Sequence, residues 1–171
     1  ILVNHLSRAK CEISIHRDKK MVARLQTIKF NEIEKPFGDV VVYRFAGQIN
    51  YINSQAHIEN LSNLNGVHTV ILNFRNLFYI DLDGMNALEE IINTNKARGK
   101  KVIITSAGPL IIPVLVKTKW YNDLKEQNLV FDSTTEALEA LGFEIDKDSS
   151  KDKILKTYEG YTMSDTLAIV K

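Results

Sequence analysis

Between Val67 and Ile92 the chain reads VHTVILNFRNLFYIDLDGMNALEEII, a strand that passes through an acidic, glycine-containing turn into a helix. In the first part Val70, Leu72 and Phe74 share one parity and Ile71 takes the other, as in a strand with apolar side chains on both faces. A short connector is expected after Phe74. In the last part Met85, Leu88 and Ile92, with Ala87 and Ile91 beside them, recur at helical spacing. Between the two lies Ile80-Asp81-Leu82-Asp83-Gly84. Asp81 is placed to cap the helix, because its carboxylate can accept the free N–H groups of the first turn. Asp83 then falls inside that turn, where the helix dipole favours a negative charge. On these residues alone the turn reads as a well-capped helix start. It is also a position where α/β proteins place chemistry or a regulatory contact.

The flanking chain supplies further strands and helices in alternation. Val22, Leu25 and Ile28 sit among polar residues between Met21 and Phe30, a pattern that fits a strand or a short helix. Val40-Val41-Val42-Tyr43-Arg44-Phe45 is β-branched and aromatic, hence a strand. Asn53 is placed to cap a helix whose apolar positions are Ala56, Ile58, Leu61 and Leu64. The central helix is expected to stop at Arg98-Gly99-Lys100, with cations in its last turn and Gly99 just past its end. Lys101 to Thr105 is the next strand. Pro109 to Trp120 then reads as one unusually apolar helix, with Pro113 straining its first turns. Leu129-Val130-Phe131 is a short strand, and Ser133-Thr134-Thr135-Glu136 is a capping box that opens a helix closed by Gly142. The order predicts an α/β fold: a mixed, mostly parallel β-sheet of four to five strands with about four helices packed on it.

The organisation read from composition is a linker over residues 1–20, a folded domain over residues 21–142 and a charged extension over residues 143–171. The opening Ile1-Leu2-Val3, followed by Arg8, Lys10 and Arg17, fits the tail of an apolar helix with basic residues just past it, as on the cytoplasmic side of a membrane span; a frayed terminus fits it equally. A net charge of +1 gives no field that points to nucleic acid. Cys11 is the only cysteine and the four histidines are scattered, so neither a disulfide framework nor a zinc spacing is present in the sequence.

No nucleophile elbow, Walker A loop or dinucleotide fingerprint occurs. Asp81 and Asp83 are two carboxylates of the kind general acid–base chemistry or a divalent cation uses, but neighbours two apart at a helix start usually point different ways. Thr105, Ser106 and Gly108 precede a helix and offer hydroxyl and N–H donors to a small anion or nucleotide. Both turns follow strands of one parallel sheet and should emerge at the same edge. Leu110, Ile111, Ile112, Leu115 and Trp120 make the stretch after Pro109 more apolar than one sheet-facing stripe requires. Core packing and a surface for a partner are both consistent with it.

These residues resemble a known family. Tyr43-Arg44-Phe45-Ala46-Gly47-Gln48-Ile49 followed by Tyr51-Ile52-Asn53, the strand from Val70 to Phe74 with its turn Ile80 to Gly84, the step Arg98-Gly99-Lys100-Lys101-Val102, and the closing segment from Phe131 to Leu141 occur in the order found in the STAS domain. That domain is shared by bacterial anti-sigma factor antagonists and the cytoplasmic C-terminal part of SulP anion transporters. The resemblance covers about residues 20–142. It departs from the antagonists at one place: the phosphorylatable serine or threonine just before the glycine of the turn is Asp83 here. Asp81, Leu82, Asp83 and Gly84 thus form a phosphosite-equivalent turn with a fixed charge, which imitates part of a phosphoserine.

The resemblance implies a non-catalytic regulatory domain of a SulP-type secondary anion transporter for sulfate or a related anion, with no cofactor and no metal. The implied setting is the cytoplasmic domain of an integral membrane protein. Its expected partners are the membrane part of the same transporter, a second copy in a homodimer, or a cytosolic protein, and not nucleic acid. The alternatives are a free-standing partner-switching protein like the anti-sigma factor antagonists and a weak nucleotide-binding module.

Overall fold

The computed structural model describes residues 10–17, 20–26 and 39–143. The strands are β1 (Cys11–Arg17), β2 (Lys20–Gln26), β3 (Val40–Ile49), β4 (Thr69–Ile80), β5 (Lys101–Thr105) and β6 (Val130–Phe131). The helices are α1 (Ser54–Leu61), α2 (Leu82–Ala97), α3 (Ile112–Leu115), α4 (Lys119–Glu126) and α5 (Thr134–Ala140). The sheet order is β2-β1-β3-β4-β5-β6. β1 is antiparallel to both β2 and β3, and the β3–β4, β4–β5 and β5–β6 pairs are parallel. The sheet is therefore mixed and mostly parallel, as the alternation of elements predicts.

It holds six strands among the described residues, one more than expected. The extra one is β1, in the stretch read as linker. Cys11, Ile13 and Ile15 alternate with Glu12 and Ser14, and the first three are buried in the core. The period is two, but the run is short and diluted by polar residues, so it identifies a strand only once β3 and β2 are beside it. The stretch from Met21, which fitted strand or helix, lies in β2 as far as Gln26. The remainder of that stretch, and the extension past residue 143, lie outside the described residues.

The parity in β4 sorts the two faces as expected. Val70, Leu72 and Phe74 join Ile13, Tyr43, Phe45 and Ile104 in the larger cluster, which Leu61 of α1, Leu88 and Ile92 of α2 and Leu124 of α4 close. Ile71 lies on the opposite face with Val40, Val42 and Ile103, covered by Ala137 and Leu138 of α5 and by Phe143. Each fully buried aliphatic side chain contributes about 1.5–3 kcal/mol of transfer free energy, so this sorting fixes the register.

β4 is longer than the sequence suggests. The segment after Phe74 is no connector: it continues beside β3 to the pair Ile49–Ile80, with irregularities between Arg44 and Ala46 and between Gly47 and Gln48. Of β4, only Thr69 to Asn73 pairs with β5. α2 ends as predicted, with Lys96 in its last turn and Gly99 at φ 78, a left-handed conformation that glycine adopts without steric cost.

The single apolar helix expected from Pro109 to Trp120 is two helices. α3 lasts one turn, with Pro113 at its start, where a missing N–H costs least. Thr118 is extended (φ −100, ψ 142) and caps α4, its hydroxyl accepting from the Tyr121 N–H at 3.3 Å. The break falls in the polar triplet Lys117-Thr118-Lys119, between the apolar run and Trp120.

Candidate functional site

The parallel strands deliver three turns to one edge of the sheet, after β3, β4 and β5. Asp81 is the hub of this edge. It is extended (φ −86, ψ −177) and one carboxylate oxygen accepts from the Gly84 N–H at 2.7 Å, which is the predicted cap. The other oxygen accepts from the Tyr51 N–H at 2.9 Å, and the Asp81 N–H donates to the Ile49 carbonyl at 3.1 Å. One residue thus ties the start of α2 to the turn that leaves β3. Asp83 lies exposed in the first turn of α2, and Leu82 beside it is 76% exposed. Gly84 is buried against Ile49.

The turn after β3 is held by two interlocked asparagines. Asn50 Oδ1 accepts from the Ile52 and Asn53 N–H groups, and Asn53 Oδ1 accepts from the Asn50 N–H at 2.9 Å. Asn53 occupies the N-cap position of α1, but its side chain turns back to this network and to the Gln48 carbonyl and makes no bond to the helix.

After β5 the candidates separate. Thr105 is fully buried, and its hydroxyl bonds the Thr134 hydroxyl at 2.9 Å; Asn73 Nδ2 donates to the same oxygen at 2.7 Å. Thr105 therefore anchors α5 and is withdrawn from any ligand. Ser106, at φ 61, donates its N–H to the Phe131 carbonyl at 3.1 Å, and the Gly108 carbonyl accepts from Ile111 and Ile112. Both are half-buried. Thr105 is level with Asn73, whereas β4 continues to Ile80 before the Asp81–Gly84 turn begins.

The apolar stretch also divides. Ile111, Leu115 and Trp120 are buried and belong to the core, so of the two readings left open for this stretch a partner surface does not apply to them. Leu110 is 71% exposed, and Ile112, Val114 and Val116 are exposed beside it. Tyr51, Leu82 and Leu110, the most exposed large apolar side chains described, follow β3, β4 and β5 in turn.

A polar cluster inside the core escapes sequence reading. Tyr43 OH lies 2.7 Å from His57 Nδ1 and accepts from Asn60 Nδ2 at 3.0 Å. Burial pushes the His57 imidazole down to about 4 and raises the Tyr43 phenol well above its ordinary value. The partners are 14 and 17 residues apart, on a strand and a helix, and no local motif signals them.

Among the described residues no group of three or more His, Cys, Asp or Glu is placed to hold a metal, and no helix is long and apolar enough to cross a membrane. The fold resembles three solved structures. A sulfate transporter family protein from Wolinella succinogenes matches with 20% identity over 61% of this chain and 85% of that one, at a TM-score of 0.53. The murine Solute Carrier 26 family member A9 anion transporter matches with 14% identity over 82% of this chain and 23% of that one, at 0.60. A protein proposed to be an anti-sigma factor antagonist, from Thermotoga maritima, matches with 18% identity over 63% of this chain and 92% of that one, at 0.52. No curated protein matches the chain by sequence. The STAS domain family model matches residues 32–137, which take in the interlocked asparagines, the Asp81–Gly84 turn and the Thr105–Thr134 anchor, and the chain accordingly belongs to the STAS domain family.

Proposed function

We propose that this STAS domain is the cytoplasmic, non-catalytic regulatory and interaction domain of a SulP-type secondary anion transporter, whose membrane part selects sulfate or a related anion. One observation carries the reading: Asp83, not a serine or threonine, stands exposed in the first turn of α2 directly before the buried Gly84. A phosphorylation cycle needs a hydroxyl at that place, and a carboxylate cannot serve a serine kinase. A permanent charge suits a contact that is held rather than switched. The exposed Leu82 supplies apolar surface beside that charge, Leu110 and Ile112 supply more after β5, and the partner assigned to them is the membrane part of the same transporter. The resemblance of fold to the Wolinella succinogenes sulfate transporter family protein and to the murine anion transporter supports the same setting.

The complete coding sequence tests this directly. Several hundred residues with multiple apolar spans upstream of Ile1 are expected. A free-standing reading frame of about this chain's length overturns the transporter reading in favour of a partner-switching protein. Incubation with a serine kinase followed by mass spectrometry should leave the Asp81–Gly84 turn without phosphate.

A further inference from the structure

α1 has little of its own to hold it helical. It is eight residues long, has no side-chain cap at its N-terminus, and carries neither acids in its first turn nor bases in its last. Helices of this length are marginal without tertiary packing. Docking is therefore what keeps it formed, and docking places His57 in the core, 1% exposed.

The His57 ring centroid lies 4.8 Å from that of Phe45 and 5.7 Å from that of Tyr43, both on β3. Its Nδ1 meets the Tyr43 hydroxyl, and its Nε2 is buried with no hydrogen-bond partner among the described residues. In either neutral tautomer one ring nitrogen is unused. A second proton makes both nitrogens donors and adds a charge. The phenol oxygen can then accept at Nδ1, but Nε2–H has no acceptor, and a buried unpaired charge is expensive. The groups around it give no compensation. β3 contributes Tyr43 and Phe45, β1 contributes Cys11 through its contact with Tyr43, and α1 itself contributes Asn60. α2 meets α1 through Asn95, which donates to the Leu61 carbonyl. None of these is a carboxylate.

We propose that α1 is a proton-sensitive latch: mild acidification shifts it from docked to open and uncovers the Tyr43–Phe45 surface of the sheet. Open, His57 titrates at its ordinary value of 6.5; docked, it does so only at about 4. The open state binds the proton first, so the docking stabilisation is fully present above 6.5 and is lost as pH falls towards 4. Between about pH 7.5 and pH 5.5 this linkage raises the open-to-docked ratio about tenfold. The latch rests on α1 and β3 alone and holds whether or not the domain serves a transporter.

Amide hydrogen exchange on the full chain at both pH values, expressed as protection factors, tests it. The expected result is an approximately tenfold loss of protection in α1, with β4 and α2 unchanged, and removal of that loss in His57→Gln. Unchanged α1 protection, an equal loss in all elements, or a pH dependence that persists in His57→Gln overturns it. Should that variant fail to fold, the ring resonances of wild-type His57 decide. Titration near 6.5 with α1 still protected refutes the latch, and a ring that stays neutral in the docked state while α1 protection falls about tenfold by pH 5.5 upholds it.

Discussion

Gly84 and Ile49 meet backbone to backbone. A Cβ on residue 84 would stand 2.3 Å from the Ile49 carbonyl oxygen, 2.8 Å from Ile80 Cγ2 and 2.9 Å from the Ile49 carbonyl carbon. The same Ile49 oxygen accepts the Asp81 N–H, so it cannot retreat without breaking that bond. The glycine in this turn is a matter of space, since the two Ile49 atoms it would meet are main chain and cannot change rotamer.

Gly84→Ala should therefore destabilise the domain by about 2–4 kcal/mol, even though alanine is the better helix former. Urea melts measure this. A midpoint equal to the wild type would show that α2 can move away from β3 at little cost.

Asp81 and Asp83 should differ sharply. Asp81 accepts two N–H groups, from Gly84 and Tyr51, and Asp81→Ala should cost about 1–3 kcal/mol. Asp83 is exposed and acts only through the helix dipole, so Asp83→Lys should cost about 0.3–1 kcal/mol. The order of the two in chemical melts is the check; the reverse order would mean that Asp83 makes the bonds.

The stretch after Pro109 should answer by position rather than by hydrophobicity. Ile111→Ala and Leu115→Ala remove fully buried groups and should each cost about 2–5 kcal/mol. Leu110→Glu and Ile112→Glu should stay within about 0.5 kcal/mol of wild type. On the proposed transporter reading, loss of association with a separately expressed membrane part, measured by co-purification, is expected for the second pair alone.

Lys100 closes the turn before β4 by donating from Nζ to the Leu64 and Val67 carbonyls, at 2.5 Å each. Burial, and then the neighbouring Arg98, lower its affinity for the proton. Lys100→Met keeps the stem and removes the donors, leaving two carbonyls short of a partner. The expected cost is about 1–3 kcal/mol, read from the thermal midpoint.

What could be read in the sequence was local. The Asp81 cap on Gly84, the Gly99 helix end and the Ser133 cap act on groups within three residues, and the structure places each where its chemistry predicts, while the Asp81 bond to the Tyr51 N–H is not local. Thr105 and His57 were not legible, because Thr134 lies 29 residues from the one and Tyr43 14 residues from the other. Ile111 and Ile112 are chemically alike and adjacent, yet one is core and the other surface. Only the break at Thr118 and the placement of α3 distinguish them. β1 was missed for a related reason: its alternation gains meaning from β3, which lies more than twenty residues downstream.

The strand order has a consequence for how the chain is made. From β4 onwards each described strand pairs with the one synthesised just before it, always on the outer side. A growing chain can therefore lay down β4, β5 and β6 one after another on an edge that already exists, as it leaves the ribosome. None of these three strands has to wait for a partner not yet translated, and the edge on which each one lands is covered as it arrives.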